Sequence, residues 1–194
     1  MRQYSTLSGQ PERGISLVEL LIAMAIVGVV VGGATRSFVS QRMLMAIQNQ
    51  RGVLIQQAQA VMDLVTRELR TAGSNPTGAT FTPVTYSATQ LEIRSDLDGN
   101  GTTTDANEHL IYAYDAAHQQ ITRDAGSGAQ PLVENIQAFT FTYLDKNGNT
   151  TTVSSAIRQL QISITARTAT PDPKYKENNG YRTFSVTSLI ALRN

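Results

Sequence analysis

Three patterns of apolar and polar positions follow one another along the chain, and each predicts a different element. From Ile15 to Thr35 the residues are almost all apolar, in the run ISLVELLIAMAIVGVVVGGAT. That run matches the ~20 residues a helix needs to cross a bilayer. Beyond Arg36 the apolar residues contract to a stripe of Met43, Ile47, Leu54, Ala58, Val61, Val65 and Ala72, spaced mostly by three, four or seven. Gln, Arg and Asp fill the gaps, which predicts an amphipathic helix continuous with the apolar one. Gly73-Ser-Asn-Pro76 ends it, because Gly supplies a left-handed cap and Pro cannot continue a helix. After Pro76 the period changes to two, and TQLEIRS, HLIYAYD, QQITRD, IQAFTFTYLD, RQLQISITART and YRTFSVTSLIAL read as strands. Asn147-Gly148 predicts a hairpin turn, and residues 170–182 a polar, Pro-bearing loop. The expected class is α+β, an antiparallel sheet packed against the apolar stripe of the second half of the helix. The expected segments are a leader over 1–14, a membrane helix over 15–35, an amphipathic helix over 36–73 and a sheet domain over 74–194.

Charge and composition add direction to this scheme. The polar stretch MRQYSTLSGQPERG carries Arg2 and Arg13, so the positive-inside bias keeps the leader in the cytoplasm and places the bulk outside. A secretory signal peptide is the alternative, but its apolar core should span only ~7–15 residues and end at a small-x-small site. Here the run is longer and passes into more helix without a turn signal. The chain has no Cys, which excludes disulfides, thiolate catalysis and zinc-thiolate sites. Basic residues outnumber acidic ones 7 to 4 over residues 1–70, and the balance is 9 to 11 over 71–194. No basic patch with interleaved aromatics points to nucleic acid. His109 and His118 fall at strand ends without metal-ligand spacing, and no nucleophile motif or phosphate loop accompanies them. The chain is therefore not expected to be an enzyme or to hold an organic cofactor.

One residue does not fit a simple anchor. Glu19 sits within the apolar run, although a charged carboxylate in the hydrocarbon centre costs about 2.5–3.5 kcal/mol on insertion scales. An intramembrane acid is by default functional and needs a partner. The segment Arg13-Gly14-Ile15-Ser16-Leu17-Val18-Glu19-Leu20-Leu21 resembles the processing motif of type IV prepilins and type II secretion pseudopilins. A basic leader ending in Gly, then an apolar residue, then Glu four positions on at the head of a membrane helix carries the resemblance. It implies that a prepilin peptidase cuts between Gly14 and Ile15 and methylates the new amine of Ile15. It also implies that Glu19 pairs with that amine on a neighbouring subunit and so sets the stagger between subunits.

The resemblance also frames the glycines. Gly28, Gly32 and Gly33 place small residues one turn apart, which suits close helix packing. Filaments of the family also lose helical order near this depth, and glycines make such melting cheap. Both readings stand. The family's helix-kinking Pro is absent, since position 36 is Arg, and so is the cysteine pair of many major pilins. These departures favour a minor pilin or a pseudopilin over a major subunit. The DLDGNG stretch and the C-terminal Leu-Ile-Ala-Leu-Arg-Asn look similar to minor pilins of the PilW type.

A second constellation lies in the sheet region. Asp96, Asp98, Asn100 and Gly101 occupy positions one, three, five and six of a calcium-loop template, with Thr102 offering a carbonyl at seven. The back half departs from it: position twelve is Asn107, Glu108 comes one residue late, and strands flank the loop. Asp105, Asn107 and Glu108 are the candidate closing ligands. The competing reading is an acidic, solvated hairpin loop. Asp145-Lys-Asn147-Gly-Asn149 looks similar but is explained by its turn.

The sequence thus predicts a minor pilin of a type IV pilus, priming assembly or standing at or near the tip. It would be anchored once in the inner membrane with its C-terminal domain in the periplasm, and later carried on the pilus at the cell surface. The implied partners are the peptidase, other major and minor pilins, the inner-membrane assembly platform and membrane lipid. The rivals are a minor pseudopilin of type II secretion and, from another class, a membrane-tethered calcium-binding adhesive module that never polymerises. Gly14 and Glu19 separate the last, because a simple anchor needs neither.

Overall fold

The computed structural model describes residues 14–192, so the leader up to Arg13 and the final Arg-Asn lie outside the described residues. Among the described residues one α-helix, α1, runs Leu17–Thr71 and is followed by eight strands: β1 Val84–Thr85, β2 Gln90–Arg94, β3 His109–Asp115, β4 Gln120–Asp124, β5 Gln130–Glu134, β6 Ile136–Leu144, β7 Gln159–Arg167 and β8 Thr183–Ala191. The arrangement is α+β, as its change of period predicts. By contacts the chain divides into two units, residues 1–46 and 47–194. In the first, among the described residues, every side chain is exposed.

In the second unit α1 buries Leu54, Ala58, Val61, Met62, Val65 and Leu69, one face recurring every three or four residues. The helix ends where Gly73 adopts φ 76, a conformation a Cβ would penalise, and its N–H donates to the Arg94 carbonyl at 3.0 Å. The buried face meets Leu91, Ile93, Leu110, Tyr112 and Ile121 from β2, β3 and β4, and Phe139, Tyr143, Leu160, Ile162 and Ile164 from β6 and β7, in one core. Alternation is clean on β7, where Leu160, Ile162, Ile164 and Ala166 point inward.

Two features differ in detail from the expectations of one antiparallel sheet and of a two-residue hairpin at Asn147-Gly148. The strands form a five-stranded sheet in the order β1-β2-β3-β4-β5 and a three-stranded sheet in the order β6-β7-β8, all pairs antiparallel. The division falls at Asn135, whose φ of 61 turns the chain between β5 and β6 within one residue. Asn tolerates this left-handed conformation better than most residues because its side chain is short and polar. The seam is stitched by Tyr114, whose hydroxyl donates to the carbonyls of Ile136 and Gln137 at 3.1 and 3.0 Å. Second, Asn147-Gly148 forms a turn but not a direct two-residue hairpin. Asp145 closes it by accepting the N–H groups of Asn147 and Asn149, and an isolated Leu144–Thr150 bridge follows. A 3₁₀ turn over Ser154–Ala156 then leads into β7.

Candidate functional site

The N-terminal segment presents its chemistry on an uncovered surface. Gly14 and Ile15 are exposed just ahead of α1, and the Ser16 carbonyl accepts the Leu20 N–H at 3.1 Å. Glu19 lies in the first helical turn, where unpaired N–H groups and the helix dipole favour a carboxylate. No ion pair among the described residues reaches it. The helix continues without a break through Gly28, Gly32 and Gly33, and a Cβ added at any of them would meet nothing within 4 Å. Ile15, Leu17 and Val29 are about three-quarters exposed, and the segment is long and apolar enough to span a membrane. So large an apolar surface calls for lipid or protein cover.

The acidic loop is the connection between β2 and β3. The strand ladder runs one step past Arg94–His109, since the Ser95 N–H donates to the Glu108 carbonyl at 2.9 Å. Asp96 and Glu108, on either side of the loop, are both buried. One Asp96 oxygen accepts the Gly99 N–H at 2.7 Å; the other accepts the Thr77 hydroxyl at 2.9 Å and the Gly101 N–H at 3.1 Å. Burial pushes the Asp96 carboxyl up, but the Thr77 bond and those from the backbone of Gly99, Gly101 and Asn100 outweigh it and leave it below the ordinary carboxylate value. Glu108 Oε1 accepts the N–H groups of Leu97 and Asp98 at 2.6 and 3.1 Å. Carboxylate oxygens of Asp96, Asp98 and Glu108 lie within 4.8 Å of one another.

The remaining loop residues take other places. Asn100 donates to Asp98 at 3.1 Å and to Asp105 at 2.7 Å, and the Thr102 hydroxyl donates to Asp105 at 3.1 Å. Asn107, at template position twelve, has φ 67, and its side-chain oxygen accepts from Arg123 at 3.3 Å. The inward face of β3 is Leu110 and Tyr112, and extending that alternation backwards reaches Glu108, not Asn107. That parity was available in the sequence; the template's spacing, taken from helix-flanked loops, obscured it.

A polar network beneath this loop carries no sequence motif. The Tyr112 hydroxyl donates to Glu68 of α1, and Arg123 of β4 grips the same carboxylate with Nη2 at 2.8 Å and Nε at 3.3 Å. Burial, then the bond to Glu68 and its charge, push the Tyr112 phenol well above its ordinary value, with Arg123 only partly opposing. Burial likewise pushes Tyr143 up to about 12. The unfolded chain ionises its tyrosines near pH ~10 while these two keep their protons when folded, so stability is fully present below ~10 and falls as pH rises above it. In an alkaline titration followed by phenolate absorbance, Tyr112 and Tyr143 are expected to ionise only as the fold is lost. Tyr112→Phe should remove one late-titrating group; smooth ionisation of every tyrosine in the intact fold would contradict this. The histidines sit apart from the loop carboxylates, His109 Nε2 2.9 Å from Glu92 and His118 Nδ1 2.6 Å from Asp115.

Residues 10–35 match the prokaryotic N-terminal methylation motif. The match covers the Gly14–Ile15 junction, Glu19 and the apolar half of the helix, and it supports a type IV pilin-like or pseudopilin-like protein processed at its N-terminus. It is a structural motif and not that of an enzyme family. A search of curated proteins finds no match to the chain.

Proposed function

We propose that this chain is a minor pilin of a type IV pilus, held in the inner membrane by residues 15–35 and then built into the fibre as an initiating or tip-proximal subunit. The observation that carries the reading is the methylation motif over residues 10–35, matching the head of a helix whose membrane-length apolar segment is exposed in the single chain. Lipid covers that surface before assembly, and the helices of neighbouring subunits cover it afterwards. Glu19 then has a partner available that exists only after cleavage, the amine of Ile15. In this reading the sheet-bearing unit is the periplasmic part, later displayed on the fibre, and its work is assembly. The PilW-type likeness rests on the DLDGNG stretch and the C-terminal residues. A minor pseudopilin of type II secretion shares the same motif, and recovery in extended pili or in the secretion fibre separates the two.

Processing provides the test. Mass spectrometry of the mature protein is expected to find residues 1–14 absent and Ile15 N-methylated. Gly14→Ala should still be cut if small size is what the peptidase requires, whereas Gly14→Leu should leave uncut precursor in the membrane. An intact leader in assembled fibres, or cleavage near Ala34, would overturn the assignment.

A further inference from the structure

We propose that the β2–β3 loop is a calcium site in which the carboxylates of Asp96, Asp98 and Glu108 hold the ion. The inference stands independently of the assembly reading, because it uses only the sheet-bearing unit.

Two separate observations converge on the same point. The first is the approach of three carboxylates to within 4.8 Å although Asp96 is fully buried and Glu108 is 2% exposed. Like charges held this close repel, and burial strengthens the repulsion by removing water. The ion pairs among the described residues, Arg94–Glu92, His109–Glu92, His118–Asp115, Arg123–Glu68 and Arg182–Asp172, supply no side-chain cation to them. The second is Glu108 Oε2, which is buried and has no hydrogen-bond partner, while Oε1 of the same group has two. A buried carboxylate oxygen without a donor is unfavourable unless a cation completes it.

The donor chemistry selects the ion. All three groups are hard oxygen donors, the chain has no Cys, and neither histidine joins the cluster, so a soft or borderline metal gains nothing here. Calcium accepts six to eight oxygens in irregular geometry, which three carboxylates supplemented by water can satisfy. Magnesium requires a near-ideal octahedron and sheds water reluctantly, so carboxylates already fixed by main-chain N–H groups suit it poorly. Asp98 is the exposed member and gives the ion its entry from solvent. Asp96 also ties the loop to the turn after α1: its N–H donates to the Ser74 carbonyl at 2.8 Å, and Thr77 donates to its side chain. A bound ion therefore fastens the end of α1, β2 and β3 together in a chain with no disulfide.

The test uses the full chain in detergent micelles, stripped with chelator and titrated with calcium chloride by calorimetry, with hydrogen exchange read by mass spectrometry. One ion per chain is expected, with Kd in or below the ~10⁻⁴–10⁻³ M range of extracellular modules, and slower exchange over 95–108 and 73–78. Asp98→Asn removes an exposed ligand without disturbing the core and should weaken binding by about tenfold or more. Glu108→Gln should weaken it too, and magnesium chloride should reproduce neither heat nor protection. Absence of saturable calcium heat with unchanged exchange up to about 10 mM would overturn the proposal. So would an Asp98→Asn chain that binds as tightly as the native one, since the ion would then lie elsewhere.

Discussion

Glu19→Ala is expected to leave the chain inserted in the membrane and cut after Gly14, yet to lower its amount in purified fibres by about tenfold or more. The two halves of this result come from opposite signs of one change. Removing the carboxylate makes residues 15–35 more apolar; an acid opposes insertion by about 2.5–3.5 kcal/mol at the helix centre and by less near the end where Glu19 stands, so anchoring should be kept or improve. Assembly should suffer, because in the proposed filament the variant loses the carboxylate that would meet the new Ile15 amine of a neighbour. In a low-dielectric environment such a pair need supply only about 1.4 kcal/mol for its loss to change incorporation tenfold. Glu19 has no ion-pair partner among the described residues, so the substitution breaks no ion pair within the single chain and gives up only the favourable placement of an acid in the first helical turn. Fractionation at native expression decides the matter. Wild-type amounts of Glu19→Ala in fibres would mean that the carboxylate does not register subunits, and failure of cleavage would instead place Glu19 in peptidase recognition. Glu19→Gln, which keeps the shape, should behave like Ala if charge is what matters.

What the residues made legible was whatever depends on local period. The helix stripe was readable from Leu54 onward because burial there repeats every three or four residues. Met43, placed on the same stripe, is 47% exposed and lies in the first unit, where every described residue is exposed. Six of the strands follow from alternation; β5 does not, because Pro131 interrupts the signal. Pro is tolerated there because β5 is an edge strand and needs no donor on its free side. The two-sheet arrangement hangs on Asn135, one residue with a left-handed backbone, which no periodicity announces. At the loop, Asp96 and Asp98 were visible as a spacing, but the burial of Glu108 is a consequence of strand parity and its orphaned oxygen a consequence of packing. Asn107 shows the same limit from the other side: it is drawn to Arg123, a residue 16 positions away whose approach only the tertiary fold creates.

Glu68→Ala tests the least legible part of the structure and is expected to cost about 2–3 kcal/mol of stability. Glu68 holds Arg123 by two hydrogen bonds and receives the hydroxyl of the fully buried Tyr112. Removing one partner of a buried ion pair typically costs about 3–5 kcal/mol, because the other charge stays desolvated and unpaired. Here the side chains retain 17% and 23% exposure, so water can partly recover Arg123, and the lower figure follows. Tyr112→Phe should cost only about 1 kcal/mol, since it deletes donor and keeps ring, leaving Arg123 paired. For a folded unit of this size, thermal unfolding of Glu68→Ala should occur about 6–12 °C lower. The double variant Glu68→Ala/Arg123→Ala should lose less than the sum of its parts, because it strands no charge. Arg123 also holds Asn107, so Glu68→Ala should speed hydrogen exchange at residues 105–108 as well as in α1. A loss below about 0.5 kcal/mol with additive double-variant behaviour would mean that solvent already satisfies these groups, and that the helix is fixed to the sheets by apolar contact alone.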